Sequence, residues 1–234
     1  MLDTIIQNMF LEPKASKFDP RSIGGLQMWF AADRITGLVD GNAVATWSDL
    51  SGNGRDATQA TEAAKPVYKV DIVNGKPVVR FDGVDDYIET TSVTIAQPIT
   101  ICVLAKYAAA NADNFTDSVS GTECFFRATT TDVQVGAGLD LSPVAVTANT
   151  FQILIAHIQS NGISNIFKNG VAGTAGDAGS NTLKAVRIGG AVGAGPPGPL
   201  NGDIAELLIY NKALTAGQRR RIEGWWSAKY GIAA

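Results

Sequence analysis

Three aspartates stand close together in the stretch Phe81-Asp-Gly-Val-Asp-Asp-Tyr87. Calcium takes about six to eight oxygen ligands, and Asp82, Asp85 and Asp86 would supply several of them from one short segment. The same carboxylates can instead accept hydrogen bonds from backbone amides in a tight turn around Gly83. We expect a structural turn, with calcium as the alternative, and we assign no metal ligand and no cofactor-binding residue.

The chain contains one histidine and two cysteines, which restricts its metal and nucleophile chemistry. A structural zinc site takes about four Cys or His ligands, and a histidine-based triad would have to use His157. His157 lies in the apolar run 151–159, which is typical of a strand. We therefore expect a hydrogen-bonded or solvent-facing strand histidine and no catalytic one. Cys102 and Cys124 stand in or beside apolar runs and are expected to be free core thiols.

Length, composition and charge exclude several classes of protein. The 234 residues, with 45% hydrophobic residues, 18% charged residues and 25 glycines, indicate a globular, turn-rich chain of one or two domains. The net charge of −3 is too balanced for a nucleic-acid or membrane-surface binder. No apolar run reaches the roughly 18 residues of a membrane span, and the N-terminus lacks a basic signal-peptide start. We expect no nucleic-acid or membrane partner and synthesis in a cytoplasm.

From Leu26 onward, short β-branched and aromatic runs alternate with Gly, Asn, Asp and Pro, which favours a two-sheet antiparallel sandwich. The Asn-Gly pairs at 53–54, 74–75 and 169–170 predict tight hairpin turns. The Gly- and Pro-rich stretch 190–200 predicts a long surface loop. The predicted strands are 26–31, 67–73, 77–82, 86–90, 98–107, 123–128, 132–136, 151–159, 163–168, 185–189 and 203–210.

Both ends of the chain differ from its strand-rich middle. Residues 1–25 form the first region and begin with apolar residues at helical spacing, yet so short a helix is marginal alone. We therefore expect an arm that docks on this domain or on a neighbouring subunit. At the other end, Thr215 and Gln218 match a capping box and predict a helix over 216–229, with Gly231 just beyond it. We expect this helix to pack a Trp on the sandwich and to expose Arg219, Arg220 and Arg221 to solvent.

Four sequence blocks, in a fixed order, carry a resemblance to a known superfamily. They are Gly25–Asp33 (GLQMWFAAD), Trp47–Thr58 (WSDLSGNGRDAT), Gly75–Ile88 (GKPVVRFDGVDDYI) and Asn201–Thr215 (NGDIAELLIYNKALT). Together they resemble the laminin-G-like or concanavalin-A-like lectin/glucanase superfamily, over about 26–230. The resemblance implies an all-β, two-sheet antiparallel jelly-roll sandwich, so we expect one such domain over 26–234.

The motif residues have chemistry that is mostly structural. Trp47 is large enough to close one end of a sandwich. The side chains of Asp49, Ser51 and Asn53 can bond nearby backbone groups and so stabilise a loop.

Glucanases of the superfamily carry the acids Glu-x-Asp-x-x-Glu on one strand, and this sequence has no such strand. Asp203 and Glu206 are the nearest pair. A separation of three on a strand points two side chains to opposite faces, and Glu206 also matches the superfamily's structural ending. We therefore expect no enzyme activity and assign no catalytic residue.

The resemblance and the N-terminal arm together suggest a function. Single-domain lectin-like proteins with short non-signal N-termini resemble those encoded among virion genes of tailed bacteriophages. We expect a non-catalytic structural protein of the virion surface, a capsid decoration or head-fibre protein whose residues 1–25 bind the major capsid protein or another virion protein. Decoration proteins of this kind often form trimers, although nothing in the sequence encodes threefold contacts. The alternative is a tail-associated receptor-binding protein or other carbohydrate-binding module for host-surface glycans, with exposed Trp or Tyr stacking on sugar rings.

Overall fold

The computed structural model describes residues 18–108, 113–119, 123–145, 147–160, 162–192 and 198–233. Within these ranges the chain forms β-strands, one α-helix and short 3-10 helices at Pro20–Ser22, Ala32–Arg34 and Glu62–Ala64. The α-helix is α1, Ala216–Tyr230. The strands are β1 Leu26–Ala31, β2 Thr46–Trp47, β3 Ala57–Thr58, β4 Val67–Val73, β5 Lys76–Asp82, β6 Ile88–Thr90, β7 Thr94–Ile95, β8 Ile99–Tyr107, β9 Asp113–Ser118, β10 Phe125–Ala128, β11 Asp132–Gly136, β12 Asp140–Ala145, β13 Gln152–Ile158, β14 Asn165–Lys168, β15 Val171–Ala172, β16 Leu183–Lys184, β17 Val186–Ile188 and β18 Asn201–Tyr210.

The strands form two large antiparallel sheets, which confirms the predicted jelly-roll sandwich. Sheet A has the order β15-β14-β13-β8-β18-β5-β4, and sheet B has the order β12-β11-β10-β9-β17-β6-β3-β2. On the same edge of the long strand β18, β5 pairs with its first half and β1 with its second half. Strands β7 and β16 form a separate pair.

Two apolar layers hold the molecule together, one between the sheets and one between sheet A and α1. Alternate residues of β8 serve the two layers: Ile101 and Val103 lie in the inner layer, whereas Cys102 and Leu104 lie in the outer layer beneath α1. Because sheet A is covered on both faces, its central strands are apolar at nearly every position rather than alternating. We call the α1 side of sheet A its outer face.

All eleven predicted strands are present, with small differences at their ends, but several further strands were not predicted. The most important is β9, Asp-Asn-Phe-Thr-Asp-Ser, which lies inside sheet B between β10 and β17. Its polar side chains are buried and bond to other segments; Asn114 Nδ2, for instance, donates to the Gly198 carbonyl at 3.0 Å. Part of the predicted surface loop 190–200 therefore packs on β9, and Leu200 is fully buried.

Two of the three Asn-Gly pairs form the predicted hairpin turns. Asn74-Gly75 and Asn169-Gly170, with positive φ at both residues, connect β4 to β5 and β14 to β15. Asn53-Gly54 lies instead in the longer β2–β3 loop, where Asn53 Nδ2 donates to the Leu26 carbonyl at 3.1 Å. In the same loop Asp49 Oδ1 accepts the Trp29 amide at 3.0 Å, which confirms a structural role for these motif residues.

The C-terminal helix is confirmed, and so are its signals. Thr215 and Gln218 form the reciprocal capping box, and Gly231 ends the helix in the left-handed conformation, with φ of 68°. Trp226 is fully buried against the sandwich. No helix in the described part of the chain is long and apolar enough to cross a membrane.

The predicted arm falls largely outside the described residues, because 1–17 are not among them. Residues 18–25 lie on the outer face of this domain. Ile23 is buried in the outer layer, and the Tyr210 hydroxyl donates to the Pro20 carbonyl at 3.2 Å. An arm that could reach a partner would therefore have to consist of 1–17 alone.

Candidate functional site

A cavity of about 450 Å³ opens beside the C-terminal half of α1. Three aromatic rings line it, and each comes from a different element: Phe18 from the N-terminal segment, Trp29 from β1 and Trp225 from α1. Charged side chains of Asp19, Arg21, Asp33, Arg34, Lys76 and Lys229 surround the rings. We call this cavity the aromatic cleft.

The Trp225 ring is held by neighbours on several sides. Its centroid lies 5.3 Å from that of Phe18 and 6.1 Å from that of Trp29, both in edge-to-face geometry. It also stacks on the buried Trp226 at 6.1 Å. Trp225 itself is only half-buried. The protein's own contacts thus fix the position of the Trp225 ring, whose accessible part faces the cleft.

Below the rings, the buried carboxylate of Glu206 joins three elements. Its Oε1 accepts the Trp29 indole N–H at 2.7 Å, and its Oε2 accepts the Tyr230 hydroxyl at 2.8 Å and the Lys229 ammonium at 2.9 Å. Lys229 also contacts Asp33 at 2.9 Å. Burial raises the pKa of Glu206, while Lys229 and the hydrogen bonds oppose that rise. Glu206 therefore positions Trp29 and Lys229 toward the cleft.

The prediction that Asp203 and Glu206 point to opposite faces is wrong. A β-bulge between Ile204 and Glu206 interrupts the register of β18 against β8. The extra residue, Ala205, shifts the alternation by one position, so both carboxylates lie on the outer face. Each has its own cation partners, however, so they belong to two separate groups of side chains.

Asp203 lies at the end of the outer face that α1 leaves open. Arg80 binds it through two nitrogens, at 2.6 and 3.0 Å, and the Lys106 ammonium lies 2.7 Å from its Oδ2. Together with Asn149 and Asn201 these side chains line a polar cavity of about 270 Å³. The ring of Phe151 lies 5.3 Å from the Lys106 ammonium.

The three aspartates at 82–86 form the predicted turn. Asp86 Oδ2 accepts the Asp82 amide at 3.0 Å, and Asp82 Oδ1 accepts the Val84 amide at 2.8 Å. Oxygens of Asp82, Asp85 and Asp86 also lie within 4.8 Å of one another. Burial, and then the charge of Asp82, raise the pKa of Asp86 to about 6. The turn is confirmed by its hydrogen bonds, and the calcium alternative stays a prediction.

His157 lies on a strand, as predicted, but its surroundings differ from the prediction. It is buried on the outer face of β13, its ring lies 5.1 Å from that of Phe167, and its Nε2 has no hydrogen-bond partner among the described residues. Burial and the nearby Arg219 lower its pKa to about 4. It is therefore neither hydrogen-bonded at Nε2 nor solvent-facing, because Phe167 and Arg219 cover it.

The two thiols and the arginine run have structural surroundings. Cys102 and Cys124 are free and buried, as predicted, and burial raises the pKa of Cys124 to about 12. The prediction that Arg219 is exposed to solvent is wrong. Its guanidinium lies 3.7 Å from the Phe167 ring centroid and packs on that ring. Arg220 and Arg221 are exposed.

The sequence did not predict the aromatic cleft. One signal was present: adjacent residues on a helix point about 100° apart, so a Trp-Trp pair on a helix with one buried face leaves one ring nearer to solvent. That argument indicates Trp225 or Trp226 as a surface ring. It does not identify Phe18 or Trp29 as its neighbours.

No protein-family model matches the chain, and no curated protein matches its sequence. Solved structures do share its fold. Domain 4 of an extracellular arabinanase from Geobacillus stearothermophilus, in complex with arabinotriose, aligns over 83% of this chain and 96% of that one, with 16% identity and a TM-score of 0.59. The binding domain of Paraclostridial Mosquitocidal Protein 1 aligns over 88% and 52%, with 10% identity and a TM-score of 0.63.

Botulinum neurotoxin type C, whose cell entry depends on interaction with two ganglioside molecules, aligns over 86% of this chain and 51% of that one, with 11% identity and a TM-score of 0.62. The chain thus spans about half the length of the neurotoxin and mosquitocidal chains. At such low identity the likeness shows the fold, a concanavalin-like β-sandwich.

Proposed function

We propose that this protein is a carbohydrate-binding module whose ligand lies in the aromatic cleft. The observation that carries the proposal is the half-buried Trp225, fixed between Phe18, Trp29 and Trp226 beside a ring of charged side chains. Sugar rings present apolar C–H faces that pack on aromatic rings, and their hydroxyls bond to polar groups at the rim.

Contacts within the protein hold the side chains of the cleft in place, which favours affinity. Binding costs free energy whenever mobile side chains have to be immobilised. Here the Trp29 indole is already fixed by Glu206, and Trp225 is already packed on three rings. Proteins of the same fold support the proposal, since the arabinanase domain holds arabinotriose and a type D neurotoxin binding domain holds N-acetylneuraminic acid.

A glycan array followed by titration calorimetry tests the proposal. The substitution Trp225→Ala should weaken binding of any saccharide found on the array about thirtyfold, because a central aromatic contact contributes about 2 kcal/mol. The control is Phe151→Ala, which removes a ring beside Lys106 and outside the aromatic cleft and should leave affinity unchanged. A uniformly blank array, or Trp225→Ala binding as tightly as the unaltered protein, would contradict the proposal.

The virion role predicted from the sequence is a second hypothesis, and it can be tested separately. The contacts of Pro20 and Ile23 with the domain restrict a free docking arm to residues 1–17. Deletion of 1–17 should abolish incorporation into phage particles and leave the sandwich folded, as judged by circular dichroism. Normal incorporation of the shortened chain would contradict docking through this segment.

A further inference from the structure

The charges around the aromatic cleft are unevenly paired. Arg21 binds Asp19, with a shortest contact of 2.7 Å, and Lys229 lies between Asp33 and Glu206. The carboxylates of the cleft are thereby engaged.

Two other cations that line the cleft have no such partner among the described residues. Arg34 lies on the 3-10 helix that follows β1, and Lys76 is the first residue of β5. Among the described residues, no carboxylate lies within ion-pair distance of either side chain. An unpaired guanidinium and an unpaired ammonium therefore stand beside three aromatic rings, in a chain whose net charge is −3.

We propose that the saccharide bound in the aromatic cleft is acidic, with a carboxylate or sulfate group placed beside Arg34 and Lys76. This inference rests on the proposed function of the same cleft. The guanidinium of Arg34 can donate two parallel hydrogen bonds to either group, and the Lys76 ammonium adds a point charge. The rings bind the sugar face, while the two cations select its charge.

The polar cavity provides an internal comparison. Its two cations, Arg80 and Lys106, both contact the buried carboxylate of Asp203, so one anion already occupies the position between them. In the part of the chain that the structure describes, no comparable carboxylate contacts Arg34 or Lys76. The preference for an anionic ligand therefore belongs to the cleft, where the rings are, and not to the polar cavity.

The test measures affinity for matched acidic and neutral saccharides with the full chain. The pairs are sialyllactose with lactose, and trigalacturonate with its carboxyl-reduced form; a desulfated and a sulfated heparin tetrasaccharide separate sulfate from carboxylate. We expect at least one acidic member to bind about tenfold tighter than its neutral partner, with a preference that weakens as salt is added.

Arg34→Gln and Lys76→Gln should each lower the ratio of acidic to neutral affinity toward one, because only the acidic saccharide carries a group that pairs with these charges. The matched control is Arg220→Gln, which removes an equal charge from an exposed position of α1 outside the cleft. Equal affinity for acidic and neutral partners would overturn the inference while the proposed function stands. A loss with Arg220→Gln as large as with Arg34→Gln would also overturn it, and no binding by any saccharide would overturn both proposals.

Discussion

The outer face of sheet A has two ends, and each is built around a buried carboxylate of β18. At the end that α1 covers, Glu206 bonds to Trp29, Tyr230 and Lys229. At the open end, Asp203 bonds to Arg80 and Lys106. Both carboxylates are almost fully buried, and a single β-bulge brings them to the same face.

The two ends differ in what each carboxylate holds in place. The side chains of Arg80 and Lys106 remain 40% and 29% exposed, so water can solvate them if Asp203 is lost. The Lys229 side chain is only 14% exposed, and the Trp29 and Tyr230 donors are buried with it. The same chemical group therefore fixes aromatic rings at one end and holds surface cations at the other.

The largest expected effect comes from removing each carboxylate in turn. Glu206→Ala should lower the free energy of unfolding by about 3–5 kcal/mol, because it leaves a buried cation and two buried donors without their acceptor. Asp203→Ala should cost about 1–2 kcal/mol, since its partners can turn toward water. Urea denaturation measures both values. Equal losses would contradict the distinction between the two ends.

The covered end should also carry a distinctive pH dependence through His157. Its pKa falls from 6.5 to about 4 on folding, so the folded chain binds fewer protons than the unfolded chain between these values. Its contribution to stability is present above pH 6.5 and is lost as the pH falls toward 4, by up to about 3 kcal/mol. His157→Leu should flatten the stability profile between pH 5 and 7. An unchanged profile would show that His157 is not desolvated.

Two tyrosines of the covered end allow a hydrogen bond to a charged acceptor to be compared with a hydrogen bond to a neutral one. Tyr230→Phe removes a hydroxyl that donates to the Glu206 carboxylate, and it should cost about 2 kcal/mol. Tyr210→Phe removes a hydroxyl that donates to the Pro20 carbonyl and should cost about 1 kcal/mol. Thermal or urea unfolding compares them. A larger loss for Tyr210→Phe would argue against Glu206 as the main anchor.

The sandwich could be predicted well from the sequence, because the patterns that indicate its strands and turns are local. Apolar runs such as β8 and β13 and the Asn-Gly turn at 74–75 are each recognisable within a few residues. The strand β9 escaped prediction because its polar residues are satisfied by distant segments, as the bond from Asn114 to Gly198 shows. Propensity alone does not reveal such partners.

The candidate site was harder to predict, because its parts are far apart in the chain. Phe18, Trp29 and Trp225 meet only after β1 has paired with β18 and α1 has packed on sheet A. The bulge near Ala205 arises from the register between β18 and β8, so spacing along β18 could not predict the face of Glu206. The Glu206 motif and the Trp225-Trp226 pair are recognisable in the sequence. The residues that contact them in the folded chain are not.

The smallest expected effect concerns the acidic turn, which follows β5 at the open end. The pKa of Asp86 rises to about 6 on folding, first through burial and then through the charge of Asp82. The folded chain thus binds more protons than the unfolded chain between pH 4 and 6, and this contribution to stability is lost as the pH rises through 6. Asp86→Asn keeps an acceptor for the Asp82 amide and removes the buried charge. It should stabilise the protein by on the order of 1 kcal/mol at pH 7 and have no effect near pH 4.

The same variant distinguishes a turn from a calcium site. If the aspartates only cap backbone amides, excess chelator leaves the melting temperature unchanged, because no ligand is removed from the folded state. Calcium bound by Asp82, Asp85 and Asp86 would reverse both results: chelator would lower the melting temperature, added calcium would restore it, and Asp86→Asn would destabilise the protein at pH 7. We expect the first pattern, since the Asp86 carboxylate already accepts the Asp82 amide and Asp82 accepts that of Val84. In that case the open end, like the covered end, uses its buried carboxylates to hold the chain's own groups in place.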